Sequence, residues 1–211
     1  MDEGRLFRAR KTLMAMLKIR GFDVPEVLRT ETDVSFRALY AEGPLPDIIA
    51  NRQSDGERIG IGFAVDDGVN SVRVIPVRQF ADRLKEEAIS RGILVLGNKL
   101  TSFAAREVRD LPNKMSNDDD EPRIECFTLA KLYNNIMEYE LQPRFELMSP
   151  AQLRLKKLRP ETLWHMLSSD PVACFMGLDP GQVVRITRRH STAGFEIVYR
   201  VVVDASAAAV H

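Results

Sequence analysis

The side chains able to do chemistry are few and scattered. His165, His190 and His211 share no metal-ligand spacing. His190 and Ser191 are adjacent, so their side chains diverge, and no carboxylate is placed to orient the imidazole for a nucleophilic pair. Cys126 and Cys174 lie far apart with no C-x-x-C, and read as reduced thiols of an intracellular protein. The acids Asp118 to Glu121 would suit a hard cation. Without spaced ligands, however, adjacent charges read as a solvated loop. Gly60 and Gly62 form a G-x-G with no third glycine opening a helix, an incomplete dinucleotide fingerprint. No D…E-x-K arrangement of a nuclease is evident on neighbouring strands. The expectation is no catalytic residue, no cofactor and no metal.

The elements around these residues are better specified. "RLFRARKTLMAMLKIRG" is expected to be a helix, with Leu6, Ala9, Leu13, Met16 and Leu17 on one face and Gly21 as its stop. Arg5, Arg8, Arg10, Lys11, Lys18 and Arg20 take the rest, read as a solvated face rather than a phosphate-binding one. With Asp2 and Glu3 ahead of it, this helix is not expected to be a transit peptide. A strand follows a turn at Asp55-Gly56, and "SVRVIPV" reads as a second strand. "RQFADRLKEEAISRG" is a helix with Phe80, Leu84, Ala88 and Ile89 inward and Gly92 past its end. "ILVLG" is a strand buried on both faces. "TSFAAREV" is a helix capped by Thr101 or Ser102, and "RIECF" a further strand. This alternation predicts an α/β layer architecture, a mixed sheet with flanking helices.

Near "EYELQPRFELMSP" the alternation ends, which places a boundary near residue 137: one domain over 1–137 and a small α+β domain over 138–211, frayed from about 204. Ser149 and Pro150 open a short helix. Trp164 is expected to anchor the small domain's core. In "SSDPVACFMGLDPGQVVRI", Asp170 is an N-cap, Pro171 the first helical residue and Gly177 a left-handed stop. "DPGQ" predicts a type II turn. The strand that leaves it sends Val184 and Ile186 one way and Val183, Arg185 and Thr187 the other. After a loop "RRHSTAG", "FEIVYRVVV" carries Phe195, Ile197, Tyr199, Val201 and Val203 on one face, and Val198 and Val202 on the other. A strand apolar on both sides is covered on both sides, by its own domain or by another chain.

Composition narrows the class. Among 211 residues, 30 Lys and Arg balance 30 Asp and Glu, which argues against electrostatic capture of nucleic acid by the whole protein. No apolar run approaches membrane-spanning length.

"SDPVACFMGLDPGQVVRITRRHSTAGFEIVYRVVV" resembles the C-terminal signature of the fifth subunit shared by eukaryotic nuclear RNA polymerases, a family with an archaeal counterpart. "LFRARKTLMAMLKIRGF" is similar to that family's first helix, and "IECF…L…NNIMEYELQP" to its inter-domain crossing. The match runs through Asp170, Pro171, Val172, Ala173, Gly177, Leu178, Gly181, Gln182, Val183, Val184, Ile186, Arg188, Thr192, Ala193, Gly194, Tyr199 and Arg200; residues 25–90 match in outline. The resemblance implies an N-terminal jaw domain near downstream DNA and a C-terminal assembly domain. The latter would dock on the largest polymerase subunit and near subunit six, in the nucleus, without catalytic residues of its own. Docking would fall to Asp170, Pro171, Val172, Gly177, Leu178, Gly181, Val183, Arg188, Thr192, Ala193, Gly194, Tyr199 and Arg200. Any DNA contact would be to the backbone, through Lys99, Arg106, Arg109 or Lys114.

Departures from the pattern are Asp179-Pro180 for a basic pair, His190-Ser191 for S-E, a shorter helix after Pro150, and acids at 118–121 after Pro112. They suggest a specialised version restricted to one polymerase. Two other readings compete: a free-standing DNA-binding regulator, whose hairpins also use a turn and strand like "GLDPGQVVRI", and a nuclease-like enzyme on the α/β part.

Overall fold

A computed structural model of the chain describes residues 3–41, 43, 45–65, 71–111, 121–190 and 194–204. Two compact units, Met1–Asn134 and Asn135–His211, divide the chain.

The N-terminal unit runs α1 (Glu3–Ile19), β1 (Phe22–Asp23), α2 (Glu26–Arg29), α3 (Asp33–Ala41), β2 (Ile48–Arg52) and β3 (Arg58–Ala64). It continues with α4 (Val74–Glu86), β4 (Arg91–Leu96), α5 (Ser102–Asp110), β5 (Arg123–Thr128) and α6 (Leu129–Leu132). Its sheet is ordered β1-β2-β3-β4-β5, antiparallel up to β3 and parallel beyond. The parallel half is the expected strand–helix alternation. Val77, Phe80, Ala81 and Leu84 of α4 pack one face of the sheet together with Leu94, Leu96, Ala104 and Ile124. Such side chains contribute about 1.5–3 kcal/mol each on full burial.

The G-x-G of β3 finds its explanation in this packing. A Cβ on Gly60 would meet Leu84 Cδ2 at 2.4 Å, and one on Gly62 would meet the Phe80 ring at 2.6 Å. The glycines admit α4 to the sheet.

Helix α1 buries Leu6, Ala9, Leu13, Met16 and Leu17 as the spacing predicts. Its basic residues depart from expectation. Arg5, Arg8, Lys11 and Lys18 are exposed or half-buried, but Arg10 is only 2% exposed. Its Nε donates to Glu31 Oε2 at 2.9 Å, and its guanidinium lies 5.8 Å from the Phe36 ring centre and 5.7 Å from that of Phe63. Arg20 makes a two-pronged pair with Glu125, at 3.2 and 2.7 Å. Helical periodicity sees the arc of a charge, not the β3 strand and α3 helix that close over it.

Two further expectations fail. "SVRVIPV" is not a strand: Val72 makes an isolated bridge to Leu100, and α4 begins at Val74. Pro76 is its third residue, where a helix N–H has no intrahelical partner to lose. Nor does Gly92 end this helix. Ala88, at φ +51°, takes the left-handed turn and is exposed, while the Ile89 N–H reaches back to the Leu84 carbonyl at 2.8 Å. Gly92 lies within β4.

The C-terminal unit contains a 3₁₀ turn (Ile136–Glu138), β6 (Arg144–Leu147), α7 (Pro150–Leu155), a 3₁₀ turn (Pro160–Thr162) and β7 (Trp164–Leu167). It ends with α8 (Pro171–Met176), β8 (Val183–His190) and β9 (Gly194–Val203). The sheet order is β6-β8-β9-β7, with β7 parallel to β9 and the other pairs antiparallel. Arg188 and Arg189 belong to β8 and Gly194 to β9, so the hairpin strands reach into the stretch expected to be a loop.

Candidate docking surface

The "SDPVACFMGLDPGQ" stretch builds itself by local rules. The Asp170 carboxylate accepts from the Val172 N–H at 2.8 Å, and Pro171 fills the first helical position of α8. Gly177, at φ +64°, turns the chain left-handed, and the Leu178 N–H closes on the Ala173 carbonyl at 3.0 Å. In the turn Asp179–Gln182, the Gln182 N–H donates to the Asp179 carbonyl at 3.2 Å and Gly181 sits at φ +89°. The Gln182 side chain returns to accept from the Asp179 N–H at 3.0 Å.

These elements cover both faces of the small sheet, but only in part. On one face α8 closes a core of Met166, Val172, Ala173, Leu178, Val184, Ile186 and Val202. On the other, Leu153 and Leu163 pack with Met148, Val183, Val201 and Tyr199. Strand β9 is thus enclosed on both sides at Val201 and Val202, and is open farther back. Phe195 is 67% exposed and Ile197 46%.

Trp164 is the clearest correction. It is 79% exposed, not a core anchor. It begins β7, in register with Arg200, beyond the reach of α8. Leu141 and Leu155 are also exposed.

Of the residues named from the signature, Asp170, Pro171, Gly177 and Gly181 set the backbone. Val172, Leu178 and Val183 are buried in the unit itself, and Tyr199 is half-buried. Gly194 (φ +75°), Arg188 and Arg200 stand outside. Arg188 Nε donates to Glu196 at 2.6 Å, and this carboxylate raises the guanidinium's pKa. Thr192, Ala193 and Ser191 lie outside the described residues, as do the side chain of His190 and the tail from 205.

In the N-terminal unit Lys99, Arg106 and Arg109 lie at the surface, with Arg106 3.6 Å from Asp110. Lys114, Pro112 and the acids 118–120 lie outside the described residues. Glu121 accepts from Lys85 at 2.8 Å.

Among the described residues no group of three or more His, Cys, Asp or Glu could hold a metal. Cys126 and Cys174 are not joined in a disulfide, and the Cys174 thiol donates to the Ser168 carbonyl at 3.3 Å. Burial, and secondarily the charge of Glu125, pushes the Cys126 thiol up to about 12, far from a reactive thiolate. Among the described residues no helix is long and apolar enough to cross a membrane.

Two mixed sheets, the second with a sharply specified helix–turn–hairpin and apolar side chains left uncovered, have the features of a binding module. The model of the family described as RNA polymerase Rpb5, C-terminal domain, matches residues 134–202. The DNA-directed RNA polymerases I, II, and III subunit RPABC1 of Caenorhabditis elegans is 30% identical, over 96% of this chain and 98% of its own. The DNA-directed RNA polymerases IV and V subunit 5B of Arabidopsis thaliana is 29% identical, over 94% and 89%. The DNA-directed RNA polymerase V subunit 5A of the same plant is 27% identical, over 95% and 89%. The chain belongs to the RNA polymerase subunit 5 family.

Proposed function

We propose that the chain is a non-catalytic structural subunit of a multisubunit DNA-directed RNA polymerase, working in transcription in the nucleus. In this reading residues 135–211 are the assembly domain, docking on the largest subunit and near subunit six. The N-terminal unit forms part of the lower jaw near downstream DNA. The observation that carries the reading is similarity to polymerase subunits along nearly the whole chain, spanning both units. The apolar side chains left uncovered on the C-terminal unit agree with it, since a surface of that kind asks for a partner. Similarity of this extent does not favour a free-standing regulator.

DNA contact, in this proposal, is to the backbone through Lys99, Arg106, Arg109 or Lys114. The substitutions Asp179-Pro180 and His190-Ser191 suggest a version serving one polymerase, in the nucleolus if that polymerase makes ribosomal RNA. Similarity to subunits of polymerases IV and V, as well as to a shared subunit, supports that idea.

The test is gentle affinity purification of the tagged full-length chain, with co-purifying chains identified by mass spectrometry. Two large polymerase subunits in equal amount support the reading, and the identity of the largest one assigns the polymerase. A chain recovered alone, or as a homodimer that binds DNA with steep salt dependence, overturns it in favour of the regulator. Equal recovery with every nuclear polymerase sinks the specialised version only.

A further inference from the structure

The α8 face of the small sheet is covered at one end only. Past α8 the same face continues with Ile186 and Val198, paired in register across β8 and β9, and then with Arg188 beside Glu196 and Arg200 beside Trp164. These six side chains line an open cavity of about 350 Å³. That is at the lower end of the range for ligand pockets, ~300–1,000 Å³.

Each wall has a definite character. Ile186 and Val198 supply an apolar floor, and Trp164 an aromatic side whose indole is largely in water. The two guanidiniums differ. Arg188 is held by Glu196, whereas no carboxylate among the described residues pairs with Arg200. Among the described residues the cavity lining thus has two guanidiniums to one carboxylate, a net positive rim.

The adjoining strand adds a directional feature. β7 is the end strand of the sheet and, among the described residues, pairs on one side only, with β9. Its outer edge can take backbone hydrogen bonds from a segment as it leaves the cavity past Trp164, since the cavity floor on β8 and β9 lies farther in across the sheet.

From this arrangement we infer that the Trp164 cavity takes an extended segment of a partner polymerase subunit, placing an apolar side chain on Ile186, Val198 and Trp164 and a neighbouring carboxylate on Arg200. The inference rests on the subunit reading above and deepens it. Charge and the apolar floor together choose the occupant: a basic segment would leave Arg200 repelled, and a phosphate–sugar backbone would offer no apolar side chain to Ile186 and Val198. Trp and Arg are also the residue types in which binding energy concentrates when a partner desolvates them.

The experiment uses the tagged full-length chain assembled into polymerase. Wild type, W164A, R200E and R200K are compared for retention on the purified enzyme through a series of salt washes. Thermal unfolding of each variant verifies folding, which the exposure of both side chains protects. In a parallel sample, Trp164→p-benzoylphenylalanine is photo-crosslinked and the captured peptide sequenced. About tenfold or greater loss of retention for W164A and R200E is expected, with a smaller loss for R200K. The crosslink should fall on a subunit segment with an Asp or Glu near an apolar residue. Folded W164A and R200E retained like wild type overturn the inference, as does a crosslink to nucleic acid or to a basic segment. Wild-type chain that recovers no polymerase overturns the subunit reading as well, so the two failures are distinguishable.

Discussion

The two units of this chain differ in where they put their guanidinium groups. The N-terminal unit takes charges inside and pairs them, Arg10 with Glu31 and Arg20 with Glu125, while Arg10 Nη1 is left to the Phe36 and Phe63 rings beside the guanidinium. The C-terminal unit keeps its ion pairs near water, and both units leave large apolar groups there, Val34, Ile75 and Phe103 in the first and Trp164, Phe195, Leu141 and Leu155 in the second. Burying a guanidinium is costly unless its partner is well placed, so the N-terminal pairs are fixed by that unit's own packing. Exposed aromatic and aliphatic groups gain nothing until something covers them, and in the C-terminal unit Trp164 stands on one sheet face beside Arg200.

The contrast can be tested by unfolding the full chain in urea. Phe80→Ala, at the centre of the α4 packing, is expected to cost about 3–5 kcal/mol. Arg10→Ala leaves Glu31 enclosed without its partner, and a loss of about 3 kcal/mol or more is expected. The corresponding change in the C-terminal unit, Arg188→Ala, should leave the transition midpoint in place, because that pair is solvated. A large effect at Arg188, or none at Arg10, would erase the distinction.

Local devices of the C-terminal unit come next in size. Gly177→Ala forces a side chain into a left-handed backbone and should cost about 1–2 kcal/mol. Asp170→Ala removes the cap of α8, with a loss of about 1 kcal/mol. Trp164→Ala, smallest of all, should change stability by less than ~0.5 kcal/mol. A large loss there would return the indole to a structural role.

Cys126 adds a pH test of the N-terminal unit's interior. Folding raises its pKa to about 12, so the folded state holds the proton more tightly than the unfolded chain does. Its contribution to stability is intact below about pH 8.5 and is lost as pH rises toward 12. At about pH 8, where an ordinary thiol is partly ionised, alkylation of Cys126 in the native protein should be far slower than in urea. Equal rates would show that this interior is open.

Much of the fold was legible because it is written in short-range chemistry. Asp170-Pro171, Gly177 and Pro180-Gly181 specify a cap, a stop and a turn from neighbours a few residues away, and each is found as the spacing predicts. The apolar face of α1 was legible for the same reason. "SVRVIPV" misled because its β-branched residues favour a strand, while Val77, Phe80 and Leu84 make it a helix by packing on a sheet. Ala88, not a glycine, supplies the helix stop, since the Leu84–Ile89 closure outweighs the strain at one residue.

The sites were read less well than the elements. The signature residues stood out in sequence, yet Val172, Leu178 and Val183 are interior residues that shape the unit. The cavity was missed because Ile186, Arg188, Glu196, Val198 and Arg200 alternate along two strands and meet Trp164 only through the pairing of β7 with β9. A lone tryptophan in a small domain gave no sign of which side it would take.

By itself, then, the order of residues determined the helices, caps and turns, the α/β character of the first unit, and the family. These depend on contacts spanning a few positions or on a linear motif. Only the tertiary structure decided which charges go inside and which aromatic stays out. Burial is a property of what comes to lie opposite a side chain, and Arg10 meets Phe63, and Trp164 meets Arg200, across long separations in the chain.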